Sequence, residues 1–295
     1  MTGVQTCALP ISDSVAAEYV IVSCGAVQSA RLLWMSGPSR GLGNSSDQLG
    51  RNATFHLFGM GAKATFNEKF QGSLHGEFGH TGNTTTFAPY FVHDETNNFW
   101  FKSGTMTSTA KKNPLENASE KVEKSLFGLD LLKEIDIYNR SCEVRLTADD
   151  LPRPSNRVDL DPTHIDEYGF PVARITRDVG EHEKRMYQQI VPQLRSIFDP
   201  YSSVLVNGVP TITPQVTDLI GDHQMGTCRM GHDPQTSVLN SWCRLHDVEN
   251  VFVVDSSFMP TGLGLNPMVT VVANALRVGT HIIEELKAGR QPGND

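Results

Sequence analysis

Short apolar runs and amphipathic stretches alternate along this chain. Residues 18–25, EYVIVSCG, are apolar, β-branched and end in glycine, the pattern of a buried strand. The following AVQSARLLWMSG spaces Ala26, Ala30, Leu33 and Trp34 along one helical face, and Gly37-Pro38 stops it. Strand, glycine turn and helix in that order make the unit of a doubly wound sheet. Leu42 to Arg51, rich in Gly, Ser and Asn, reads as loop. Gly61 to Gly82 is glycine-rich with alternating aromatics, and Thr84 to Thr109 carries the alternating runs TFAPYFV and NFWFKSG. Both predict antiparallel strands with one wet face. Lys111 to Lys133 is charged and helix-permissive, Tyr138 to Leu146 is another alternating strand, and PRPSNRVDLDP has the turn residues of a hairpin. Arg177 to Phe198 places Met186, Ile190, Val191, Leu194, Ile197 and Phe198 for one amphipathic helix, with Pro192 a candidate kink. Val251 to Val254 reads as a short strand running into Asp255, and Pro267 to Lys287 as an apolar closing helix. The predicted class is α/β, α+β overall: part of a doubly wound domain plus an antiparallel-sheet domain with helices.

Composition narrows the partners. The 295 residues suffice for one large or two ordinary domains. A formal charge of -8 gives no reason to expect nucleic acid or an anionic membrane, both of which attract basic patches. No apolar run approaches the roughly 20 residues that span a bilayer. The five cysteines show no CxxC pair and are too sparse for a disulfide framework. Residues 1–11, MTGVQTCALPI, read as the in-frame translation of a sequencing-library adapter, so fold reasoning starts at Ser12 and the sequence is expected to start in mid-gene.

The chemistry-bearing residues cluster late. Asn266 is a favoured N-cap and Pro267 a favoured first helical residue, so the closing helix should begin there and face a ligand that gains negative charge. The preceding PTGLGL is too glycine-rich for a core strand and suits a loop beneath a flat ring. His223 sits in GDHQMGTCRMG, a loop without helical or strand period. A histidine there suits a general base, though a hydrogen-bonded loop histidine is the commoner reading of one taken alone.

Taken in order, the HxxGTCRMG loop, SVLN, RLHDVENVFVVDSS, and PTGLGLNP with its helix resemble the C-terminal signature of the glucose-methanol-choline (GMC) family of FAD-dependent oxidoreductases. The resemblance implies that His223 accepts the substrate hydroxyl proton and that Asn266 hydrogen-bonds the substrate oxygen. It also implies FAD contacts at Asp255 and Ser256 and along the backbone of Asn266, Pro267 and Met268. VIVSCGAVQSARLLWMSG is similar to a second family signature, which sets Gly25 and Ala26 near the FAD; Ala30 stands where proline is usual. LGRNATFH resembles the family's GRNLxDH segment, with His56 either near the flavin or satisfied by backbone. DLPRPSNRVDLDPTHIDEYGFPVARI resembles the bacterial branch of gluconate, sorbitol and fructose dehydrogenases. The implied activity is oxidation of a small-molecule alcohol (polyol, sugar or sugar acid), either by a dehydrogenase that passes electrons to a cytochrome or quinone, toward which the bacterial pattern leans, or by an oxidase that uses dioxygen. On this reading 12–60 and 218–289 belong to an FAD-binding domain, 61–217 to a substrate-binding domain, and 290–295 to a tail. The GxGxxG dinucleotide fingerprint is absent, which implies a chain carrying only part of the FAD site. An inactive fragment, or a lyase on the same scaffold, are the alternatives.

Other readings are weaker. His223, Cys228, His232, Cys243 and His246 lack the pair spacing of a zinc site. Ser256 or Ser257 with His223 and Asp255 lacks a GxSxG elbow. Val269, Val272, Leu276 and Ile283 should be core packing, and Asp149, Asp150, Asp159 and Asp161 a solvated turn.

Overall fold

The computed structural model describes residues 14–37, 39–70, 84–86, 91–109, 114–137, 140–212 and 223–290. In chain order the elements are β1 (Val20–Val22), α1 (Gly25–Met35), β2 (Leu57–Thr65), β3 (Thr84–Thr86), β4 (Phe91–Asp94), β5 (Phe99–Lys102) and β6 (Gly104–Thr109). There follow α2 (Pro114–Glu123), α3 (Gly128–Asp136), β7 (Ser141–Ala148), β8 (Arg157–Ile165), β9 (Pro171–Thr176), α4 (Glu181–Ser196), β10 (Thr211–Ile212), β11 (Val251–Val253) and α5 (Met268–Lys287). They form two compact units, one of Met1–His56, Asp150–Asp178 and Ile220–Asp295, the other of Leu57–Asp149 and Val179–Leu219.

In the first unit β1 and β11 pair in parallel, Val20 opposite Val251 and Val22 opposite Val253. The chain then turns through Gly25 into α1, as the strand–glycine–helix pattern predicts. Val251, Phe252 and Val253 are buried, which suits a strand covered on both faces. The β8–β9 hairpin packs on α1 through Ala30, Ala53, Phe55 and Val158, and Trp34 Nε1 donates to Val158 O at 3.0 Å. Arg31 fastens the far end, pairing with Asp166 at 2.6 Å and donating to Pro171 O. The register shifts between Leu160 and Ile165, where Pro162 supplies no N–H and Asp161 collects the backbone N–H groups of Thr163 and His164. The family resemblance implies a place for this hairpin in the 61–217 substrate-binding domain. Its packing on α1 puts Asp150–Asp178 in the first unit instead.

The second unit is a five-stranded sheet of order β10-β2-β7-β6-β3, antiparallel at every pairing, with α4 against it. Met186, Ile190 and Leu194 of α4 are fully buried with Leu57, Ala62, Ala64, Met106 and Leu146 of the sheet. The helix starts at Glu181, four residues after the expected Arg177, because Asp178 N is already bonded to Asn156 Oδ1 and Glu183 accepts from Gly180 N. The charged stretch after Lys111 forms α2 and α3, separated by a break that ends at Gly128 with φ +61°. The strands predicted within 71–82 lie outside the described residues.

Two expectations fail on burial. Asp149 and Asp150 are buried, not a solvated turn. Asp149 pairs with Lys102 at 2.6 Å, while Asp150 accepts from Phe55 N and from Arg177. The apolar stripe of α5 is exposed, with Val269 at 82% and Leu276 at 68%, while Asn274, Val278, Ile282 and Glu285 are buried. At about 100° per residue these sets lie on opposite helix faces. Polar anchors choose the inward one. Asn274 donates to Cys243 Sγ, Arg277 donates to Ser241 O at 2.6 Å, and Trp242 stacks on His281 at 4.0 Å.

Candidate active site

Two laced segments bring the predicted residues together. Thr54 and Met225 form an antiparallel bridge, exchanging hydrogen bonds of 3.0 and 2.9 Å. Two residues further along each strand in that antiparallel register are His56 and His223. Gly50 N donates to Thr227 O, Val158 N to Gly50 O, and Ala53 N to Asn156 O, so the segment before His56 is tied on both sides. Such close lacing needs Gly226. Its φ is +76°, and a Cβ there would lie 2.2 Å from Asn52 O. The loop after it runs against the turn that follows β11, with Gly226, Cys228 and Met230 donating to the carbonyls of Ser256, Ser257 and Phe258.

His56 is fully buried, with Nδ1 2.9 Å from His223 Nδ1 and Nε2 bonded to Leu263 O. The two rings are edge to face, 4.9 Å apart at 77°. His223 is half-buried at φ +67°, a left-handed conformation that a non-glycine residue holds only when its surroundings enforce it. Its Nε2 lies 2.9 Å from Asn266 Nδ2. The structure thus brings the two predicted residues, His223 and Asn266, into direct contact. Asn266 is not the N-cap that the sequence suggested. The helix begins at Met268 with Pro267 flanking it, and no side chain caps it. The amide that would have capped the helix is directed to His223, so first-turn N–H groups remain open in front of α5.

Asp255, expected beside a cofactor, is a strut. Oδ1 accepts from Ser257 N at 2.9 Å, and Oδ2 accepts from Gly25 N at 3.1 Å and from Ser29 Oγ. A carboxylate at the start of α1 complements the helix N-terminus. Thr227 Oγ1 donates to Ala26 O at 2.7 Å, a second tie to the same turn. Gly25, Ala26, Asp255 and Ser256 therefore gather around one helix start, while Asn266, Pro267 and Met268 stand at another. Sequence reasoning missed Ser29, Thr227 and the Leu263 carbonyl. Their partners stand about 200 residues away, and a lone hydroxyl or carbonyl carries no pattern. Burial pushes the Cys228 thiol up to about 12, with the Asp255 charge adding to it, and raises Cys243 as well. Thiols held neutral make poor metal ligands, and among the described residues no group of three His, Cys, Asp or Glu could hold a metal. No helix among them is long and apolar enough to cross a membrane.

A loop histidine bonded to a second histidine and to an asparagine, before an uncapped helix, defines a site that can take a proton from a bound hydroxyl group. Residues 152–275 match the family model of the GMC oxidoreductases. It is 30% identical over 279 residues to 2-methyl-1,2-propanediol dehydrogenase of Mycolicibacterium austroafricanum, covering 90% of this chain and 48% of that protein. It is 26% identical to the fructose dehydrogenase large subunit of Gluconobacter japonicus, covering 94% of this chain and 49% of that one. An FAD-dependent oxidoreductase from Chaetomium thermophilum shares the fold with a TM-score of 0.54 at 16% identity, over 97% of this chain and 59% of that structure. The chain spans about half the length of the curated relatives it matches.

Proposed function

We propose that these residues form the base-bearing part of an active site that oxidises the CH–OH group of a small-molecule alcohol, with FAD as cofactor. The observation that carries this is the contact of His223 Nε2 with Asn266 Nδ2 at 2.9 Å, in front of α5. The first unit would hold the cofactor, at Gly25 and Ala26, at the Asp255–Ser256 turn, and along the backbone of Asn266, Pro267 and Met268. The fit rests on the open N–H groups at the start of α5, which suit an anionic ring edge. Asp255 would serve by shaping its turn, since both its oxygens accept from the protein itself. The second unit would bind substrate.

When bound, FAD supplies an acceptor for the hydride of the carbinol carbon. His223 Nε2 takes the hydroxyl proton. Asn266 Nδ2 moves its hydrogen bond from that nitrogen to the substrate oxygen and fixes it. The relatives' names support a polyol or sugar as substrate, and a sugar acid extends that class. A cytochrome or quinone as electron acceptor extends the same reading. His223→Ala in a full-length enzyme carrying these residues should slow anaerobic flavin reduction by roughly 10²- to 10⁴-fold. The visible flavin spectrum should persist. Reduction at the unsubstituted rate would refute the base assignment.

A further inference from the structure

The buried histidine next to His223 has no part in the reading above, and its hydrogen bonds are directional. His56 Nε2 meets the carbonyl oxygen of Leu263, and a carbonyl only accepts, so this nitrogen carries the hydrogen. In the neutral ring Nδ1 of His56 is then a lone pair. The nitrogen facing it at 2.9 Å, His223 Nδ1, must donate. That leaves Nε2 of neutral His223 as the lone pair, and the group that meets it is a donor, the amide of Asn266. From Leu263 O through both rings to Asn266, each nitrogen has one consistent role.

We infer that His56 is the positioning residue of the site: it selects the Nδ1–H tautomer of His223 and so aims a basic lone pair, at Nε2, toward Asn266 and the bound hydroxyl. The inference deepens the reading of His223 as general base and rests on it. The part His56 plays is the one a carboxylate plays behind the histidine of a catalytic triad, filled here by a neutral acceptor. A neutral acceptor suits the position, because His56 is fully buried and a carboxylate there would have to be desolvated. Its alignment comes from the backbone: the Thr54–Met225 bridge fixes the register of the two histidines, and Leu263 O fixes the ring.

The direct test is the tautomer itself. Imidazole ¹⁵N spectra of the histidine-labelled 295-residue chain, assigned with His56→Asn and His223→Gln, distinguish protonated from unprotonated ring nitrogens without cofactor or turnover. The expected result is Nδ1–H on His223 and Nε2–H on His56. His223 found as Nε2–H overturns the inference, whatever the kinetics of His223→Ala. His223 found as Nδ1–H upholds it even if His223→Ala proves fully active, an outcome that would refute only the base assignment. In a full-length enzyme, His56→Leu should lower kcat about tenfold or more, within the span of a general base's contribution. His56→Asn, which keeps an acceptor near the Nδ1 position, should restore most of it with KM unchanged. Equal activity of the leucine and asparagine variants refutes the positioning role.

Discussion

Replacing Gly226 with alanine tests whether the close approach of the two segments holds the site. The added methyl has two costs. An L-residue at φ +76° loses about 1–2 kcal/mol relative to glycine. The Cβ would also lie 2.2 Å from Asn52 O, so that carbonyl must retreat by about 1 Å. Asn52 has little room to move: it is itself at φ +59°, Arg51 bridges Arg157, and Ala53 and Thr54 donate to Asn156 and Met225. Moving it strains or breaks one or two backbone hydrogen bonds at about 0.5–1.5 kcal/mol each. The total is roughly 3 kcal/mol, a large share of the 5–15 kcal/mol typical of a domain. Gly169→Ala is the control. Its φ is +84° in the same unit, with nothing within 4 Å of the new methyl, so only the conformational cost of about 1–2 kcal/mol applies. Urea unfolding followed by fluorescence of Trp34 and Trp242, both in the first unit, in a Trp100→Phe background, gives the two midpoints. Gly226→Ala should fall well below Gly169→Ala at unchanged slope. Coincident midpoints would refute the claim that Asn52 blocks the position.

Other consequences are as direct. Asp255→Asn turns an acceptor toward a donor at one of its two faces, opposing Gly25 N or Ser257 N, and should cost about 2–3 kcal/mol by thermal melting; a variant within about 0.5 kcal/mol of the parent would show that the strut is dispensable. Cys228 keeps its proton to about pH 12 when folded, against about 9 unfolded, so the unfolded state binds fewer protons between these values. Stability must therefore fall as pH rises through that window, by about 2 kcal/mol at about pH 10.5, and Cys228→Ala should abolish this share of the loss in urea midpoints taken at about pH 8 and 10.5. The stripe on α5 should bind a hydrophobic dye: Val269→Lys with Leu276→Lys should lower dye fluorescence and leave the circular dichroism unchanged.

How far these features can be read from the chain depends on the range of the interactions behind them. The β1–Gly25–α1 unit, the β11 strand and the core face of α4 follow from local periodicity, and each forms within a few residues of its expected place. His223 and Asn266 were legible through linked motifs. Their mutual contact was not, because it depends on the rotation of α5 and on the register of a one-residue bridge. Asp149 and Asp150 looked like solvated turn residues, since four aspartates near prolines resemble surface. Their cations, Lys102 and Arg177, are set opposite them only by the tertiary fold. His56 stood between two readings. It meets the backbone as one of them held, and it also meets the second histidine, which neither foresaw.

The two faces of α5 explain why its setting follows the site rather than its own hydrophobicity. Burying Val269, Val272, Leu276 and Ile283 could contribute about 1.5–3 kcal/mol for each side chain, and within the first unit that gain is forgone. Turning the helix by half a revolution to collect it would carry Asn274 away from Cys243, Arg277 from Ser241 O and His281 from Trp242, and would expose Val278 and Ile282 instead. It would also swing the first turn, so that Asn266 could no longer meet His223 Nε2. Groups that lose hydrogen bonds on moving resist rotation more steeply than apolar contacts, which can be exchanged for others. The anchors on the inner face thus fix the rotational setting of α5, and with it the aim of Asn266, over the 20 residues of the helix.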